Sequence, residues 1–152
     1  MVLLAAISCT EHLAYADYQA TDNGKWHRDQ AMEFRFSQLD STRAYNMFIT
    51  LRSDGQYPYS NLFLIAEMTG PDGASRRDTL EYLMADAEGK WLGTGYGSVK
   101  ENKLWYRENV VFPDSGVYTV TVSHAMRKNG SVEGIDQLPG VLDVGLQIEK
   151  NP

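Results

Sequence analysis

Three histidines, one cysteine and 20 carboxylates are the side chains of this chain that chemistry would have to use. His12, His27 and His124 fall in separate segments, and none has a Cys, Asp or Glu at ligand spacing. A transition-metal site needs three or four such donors brought together. Asp54-Gly55, Asp72-Gly73 and Asp86 sit in turns, and none continues into the run of oxygen donors that a calcium loop requires. No GxSxG and no Cys–His pair is present, so the sequence offers no activated nucleophile. Gly93, Gly95 and Gly97 match GxGxxG only in part and lack the strand-then-helix setting of a phosphate loop. The carboxylates are scattered, and a glycosidase pair among them would be accidental. The expectation is a protein that is not an enzyme and uses no metal or cofactor.

Aromatic residues in loops are the other chemical signal: Tyr57 and Tyr59 about Pro58, Trp91 ahead of the glycines, and Trp105-Tyr106. Such rings either close the rim of a core, with the polar tip in water, or stack on a sugar or a protein partner. With Arg52, the residues Tyr57, Tyr59, Trp91 and Trp105 are the candidate partner-binding set, and Tyr57-Pro58-Tyr59 leads it.

The elements that must position these residues read as strands. Tyr45, Met47, Ile49 and Leu51 alternate with Asn46, Thr50 and Arg52, and Leu62, Leu64, Ala66 and Met68 repeat the period of two. They are expected as two antiparallel strands joined by the aromatic loop. Met32/Phe34/Phe36, Leu80/Tyr82/Met84, the run Leu104 to Phe112, Tyr118/Val120/Val122 and Val144/Leu146/Ile148 supply further strands. Lys90 to Gly97 reads as a bulged, close-packed strand, and His124 to Gly140 as a long loop. Gln38 to Thr42 and Thr69 to Gly73 are turns. Asp114-x-Gly116-x-Tyr118 has the spacing of a tyrosine corner, in which a ring hydroxyl ties a loop to the following strand. About seven or eight strands and no helix indicate an all-β, single-domain antiparallel sandwich, immunoglobulin-like or jelly-roll-like.

Size and charge set the bounds. A chain of 152 residues with 43% hydrophobic residues has enough apolar surface for one packed domain. The formal charge of −6, with no basic run, argues against nucleic acid as a partner. Residues 1–8 are apolar and end in small residues before Cys9, so they read as the remnant of a lipoprotein signal peptide, with Ala6-Ile7-Ser8-Cys9 similar to a lipobox. In such signals the cysteine receives a diacylglycerol and palmitate-type chains, making Cys9 the lipid attachment site. Residues 9–24 are polar and read as the lipidated N-terminus and a tether, leaving 25–150 for the sandwich.

Taken in order, several short boxes resemble the GldH-type gliding-motility lipoproteins. They are Tyr45-Asn46 with Leu51-Arg52, Tyr57-Pro58-Tyr59-Ser60-Asn61-Leu62, and Asp78-Thr79-Leu80. Gly89-Lys90-Trp91-Leu92-Gly93 with Gly95, and Phe112-Pro113 with Gly116-Val117-Tyr118, come next. Met126-Arg127 and Asp143-Val144-Gly145-Leu146 with Ile148-Glu149 complete the series. The resemblance implies a non-catalytic lipoprotein of the bacterial cell envelope, associated with gliding motility and type IX secretion. It implies envelope proteins as partners, a membrane anchor through Cys9, and a place on the periplasmic face of the outer membrane. A glycan-binding module, with the same rings stacking on sugars, is the alternative.

Overall fold

A computed structural model describes residues 12–152 apart from positions 38, 129 and 130. Cys9, the signal-like segment before it, Gln38 of the first turn and Asn129-Gly130 therefore lie outside the described residues. Among the described residues there is no helix; the chain forms ten strands. These are β1 (Leu13–Ala20), β2 (Lys25–His27), β3 (Met32–Phe36), β4 (Tyr45–Ser53), β5 (Asn61–Thr69), β6 (Ser75–Leu83), β7 (Lys100–Val110), β8 (Tyr118–His124), β9 (Gln137–Pro139) and β10 (Val141–Lys150).

Two four-stranded antiparallel sheets, ordered β1-β10-β4-β7 and β3-β8-β5-β6, face one another, and β2 pairs with β9 as a small ribbon. Setting the ribbon aside and counting the eight long strands along the chain, the sheets read 1-8-3-6 and 2-7-4-5. That order is the jelly roll, one of the two sandwiches the alternation allowed. The ribbon brings the strand number to ten, above the seven or eight expected.

Strand alternation fills the space between the sheets. Met32, Phe34 and Phe36 of β3, Met47, Ile49 and Leu51 of β4, Leu62, Leu64 and Ala66 of β5, Val120 and Val122 of β8, and Val144, Leu146 and Ile148 of β10 are all buried together. At one end of this core Phe112 packs edge-on against Phe36 and Tyr118, with centroids 5.4 and 5.0 Å apart. The tyrosine corner is present there: the Tyr118 hydroxyl donates to the Asp114 carbonyl and accepts from the Asp114 N–H, both at 3.1 Å.

Four expectations are corrected. β4 and β5 do not pair; the aromatic loop carries the chain from one sheet to the other, because a period of two marks a strand and not its neighbour. Leu13 to Ala20, read as tether, is an edge strand held by antiparallel pairing to β10 from Leu13↔Glu149 to Ala20↔Asp143. Its Ala, Asp and Gln residues have little strand preference, so the pairing makes the strand. Lys90 to Gly97 forms isolated bridges at Ala85↔Trp91 and Thr94↔Glu101, with no continuous strand. Gly93 and Gly95 lie so close to the start of β7 that a Cβ would meet Lys100 Cβ at 2.9 Å or the Val99 carbonyl at 2.7 Å. The long loop after β8 contains β9, whose Leu138 is buried beside Trp26 of β2.

The sandwich thus has two distinct ends. One carries the start of β1, Tyr45, Val110, the start of β8 and Lys150, which the pairings Leu13↔Glu149, Tyr45↔Lys150, Tyr45↔Val110 and Phe36↔Tyr118 bring together. The other carries the loops 54–60, 84–99 and 125–136. The nine residues of β4, at ~3.3 Å each, separate the ends by roughly 30 Å.

Candidate functional site

At the loop-rich end the chain turns after β4 through Asp54, whose carboxylate caps the Gln56 N–H at 2.9 Å. Tyr57 then swings inward and is only 2% exposed. Its hydroxyl donates to the Asn61 carbonyl at 2.6 Å, and its ring meets Tyr59 and Trp91 edge-on at 5.9 and 6.1 Å. Burial pushes its phenol pKa up, with the neighbouring Tyr59 adding to the shift. The backbone of Gly140, at φ +84°, lies directly on Tyr57, leaving no room for a Cβ. Tyr57 is therefore a structural ring, and this corrects its place as leading candidate for partner contact. Trp91 is half-buried against it and completes the same cluster.

Tyr59 is placed differently. With Asn61, Phe63, Thr79, Ala125, Met126 and Arg127 it lines a groove of about 590 Å³. Three elements build the groove: the start of β5, the middle of β6 and the segment after β8. β8 and β6 flank β5, with Ile65 opposite both Ser123 and Thr79. The floor is apolar, formed by Phe63 and by Met126, whose Sδ accepts the Phe63 N–H at 3.2 Å. Asn61 and Thr79 offer polar groups, and Arg127 is the one charged residue of the lining. Among the described residues no carboxylate pairs with Arg127. An apolar floor with one free guanidinium, on a chain of charge −6, suits an apolar side chain next to a carboxylate.

His124 fixes the floor from below. Its Nδ1 accepts the Met126 N–H at 3.3 Å, so Nε2 carries the proton and donates to the Trp26 carbonyl at 2.9 Å. Desolvation lowers the His124 pKa, against the bond to Trp26 and assisted by nearby His27. The ring is a neutral strut.

Arg52 and Trp105 stand elsewhere, on the outer face of the β1-β10-β4-β7 sheet. Arg52 Nε donates to Asp143 Oδ2 at 2.6 Å and Nη2 reaches the same oxygen, an arrangement that raises the Arg52 pKa through the hydrogen bond and the opposite charge. Its guanidinium is already engaged. Trp105 is 54% exposed and rests on Phe48, centroids 4.4 Å apart, beside Lys103, whose Nζ lies 4.3 Å over the same ring. Lys103 also pairs with Glu149 at 2.6 Å; its charge and the hydrogen bonds from Lys103 and Gln147 hold that carboxyl low despite the desolvation that opposes them. The five candidates thus do not converge: Tyr59 lines the groove, Tyr57 and Trp91 support it, and Arg52 and Trp105 lie on another face. Phe63 carries no signal in the sequence, and Met126-Arg127 enters there only as a box of the family resemblance, with no binding role attached. Phe63 points away from the Leu62–Leu64 row, which the alternation alone assigns to solvent.

Among the described residues no three of His, Cys, Asp or Glu gather as a metal site, and no helix is long and apolar enough to cross a membrane.

Comparison with known proteins gives a consistent answer. The pattern of the GldH lipoprotein family matches residues 13–148. The chain is 49% identical over 144 residues to a gliding motility lipoprotein GldH homolog of Christiangramia forsetii, covering 95% of this chain and 88% of that protein. It is 40% identical over 153 residues to gliding motility lipoprotein GldH of Flavobacterium johnsoniae, covering 99% and 94% respectively. Among solved structures, the VP2 subviral particle of infectious bursal disease virus aligns at a TM-score of 0.38 and 15% identity, over 89% of this chain and 32% of that one. That likeness is too distant to carry an argument.

Proposed function

Because the chain belongs to the GldH lipoprotein family, we propose that it is a non-catalytic binding subunit of the gliding-motility or type IX secretion-associated machinery. It is held by a lipid on Cys9 to the periplasmic face of the outer membrane. Family membership supports a motility-associated, lipid-anchored envelope protein. The observation that carries the binding role is the Tyr59–Phe63–Met126 groove with Arg127, which pairs with no carboxylate of the described residues. Its occupant is an extended segment of an envelope protein, with an apolar residue on the Phe63–Met126 floor and an acid at Arg127.

Native-gel migration of the detergent-extracted envelope tests this. The wild-type chain runs in a complex larger than itself, and an Arg127→Glu, Phe63→Ser variant of normal stability runs free. Equal migration of the two would remove the groove from the account. Detergent phase partitioning tests the anchor: Cys9→Ala moves the chain to the aqueous phase, and persistence in detergent contradicts lipidation. Glycan stacking is left with Trp105 as its best ring, since Tyr57 is buried and Trp91 packs on it.

A further inference from the structure

We propose that the end of the sandwich opposite the groove is a membrane-contacting surface, which seats the domain on the lipid with the groove held away from it. The proposal rests on acylation of Cys9. Because the sheet begins at Leu13 and not after a tether, only Thr10, Glu11 and His12 separate Cys9 from a hydrogen-bonded strand. Four residue steps reach at most ~14 Å when fully extended. An anchor that short brings the Leu13 end of the domain to the bilayer and leaves little freedom to turn it away.

That end has the surface such a position requires. Leu13, Val111 and Val117 are 36%, 50% and 52% exposed. Leu13 and Val117 line two shallow hollows that share Leu39, the first also carrying Arg43 and Lys150 and the second Phe112, the residue that follows Val111. The turn before Val117 is fastened at two points. The Tyr118–Asp114 hydrogen bonds tie it at its base, and Gly116, at φ +124°, lies so close to Pro71 that a Cβ would meet that ring at 2.9 Å. Val111 and Val117, on either side of this tied turn, are both half-exposed to solvent. Arg43 and Lys150 line one hollow with Asp40, Asp114 lines the other, and Asp72 stands beside Gly70 near Tyr118, so these groups give no excess of positive charge; apolar burial at the headgroup boundary, and not attraction to anionic lipid, is the driving force. The groove opens on the outer sheet face toward the far end, and its nearest wall, Thr79, stands four residues, roughly 13 Å, along β6 from Ser75 at the membrane end.

The test uses the full acylated chain in phosphatidylethanolamine–phosphatidylglycerol vesicles containing a nitroxide-bearing lipid. An environment-sensitive fluorophore is placed on Val111→Cys, Val117→Cys or, as control, Leu92→Cys. Leu92 is 53% exposed and equally apolar, but lies at the groove end. Strong quenching and a blue shift at 111 and 117, with neither at 92, and the same result at high salt, are expected. Acylated protein, verified by mass, with no quenching at 111 and 117 would leave the anchor intact and overturn the membrane face. Quenching at 92 instead would reverse the orientation and overturn it too. Absence of acyl mass on Cys9 would remove the anchor and this proposal with it.

Discussion

His124 accepts the backbone N–H of Met126 on one ring nitrogen and donates to the Trp26 carbonyl from the other. A single neutral tautomer satisfies both, tying the segment after β8 to the β2–β9 ribbon beneath the groove. A proton added at Nδ1 would confront the Met126 N–H with a second donor.

The pH dependence follows from that geometry. Burial holds the folded-state pKa of His124 below its ordinary 6.5, so the unfolded chain binds the proton first as pH falls. This contribution is full above about pH 6.5 and declines as pH drops below it, down to the folded pKa. Urea midpoints at pH 7.5 and 5.5 should show the wild type losing its advantage over His124→Gln, which keeps a donor but does not titrate. An unchanged difference would mean that the ring is not buried neutral.

Tyr57 is expected to behave as a core residue. Tyr57→Phe removes the hydrogen bond to Asn61 and should cost ~1 kcal/mol, whereas Tyr57→Ala should cost ~3–5 kcal/mol. Denaturant titration of both variants checks this. A Tyr57→Ala protein of wild-type stability would return the ring to the surface.

Gly145 permits a close crossing on the outer face of the other sheet. A Cβ there would strike Thr50 Oγ1, and would meet Tyr18 Cδ1 at 2.7 Å and the Asp17 carbonyl at 2.8 Å. Gly145→Ala should therefore destabilise by ~2 kcal/mol or more, through overpacking and a displaced β1. A Tyr18→Ala background should recover part of the loss, which thermal melts of the three proteins would show.

Trp105 gives the glycan alternative its clearest test. Its exposed ring would shift or lose emission on stacking with a sugar, while Trp26 is fully buried and would stay silent. Titration with a panel of oligosaccharides is expected to leave the emission unchanged. Saturable quenching that disappears in Trp105→Phe would place a sugar on this face.

Much of the core was legible because alternation is a local signal. Phe34 between Met32 and Phe36, Val120 between Tyr118 and Val122, and the tyrosine corner at Asp114 all sit where the residue pattern puts them. β1 was hidden because its residues are mostly exposed or half-buried and have weak strand preference; β10 supplies what its own sequence does not. The groove was hidden for a different reason. Tyr59, Thr79 and Arg127 meet only because β5 lies between β6 and β8, a neighbourhood set by topology and absent from any short stretch. Phe63 and Arg127 look like ordinary outward residues until that neighbourhood is known.

Under the proposed function, the groove on the half of the sandwich away from the anchor receives a partner. Photo-crosslinking in the native envelope, from a probe at Tyr59 with a matched probe at Thr119 and products identified by mass spectrometry, tests it most directly. One envelope protein captured from Tyr59 alone, through a segment with an acid beside an apolar residue, and lost on Arg127→Glu, is the predicted result. No capture from Tyr59, or the same capture from Thr119 or in the Arg127→Glu protein, would contradict it.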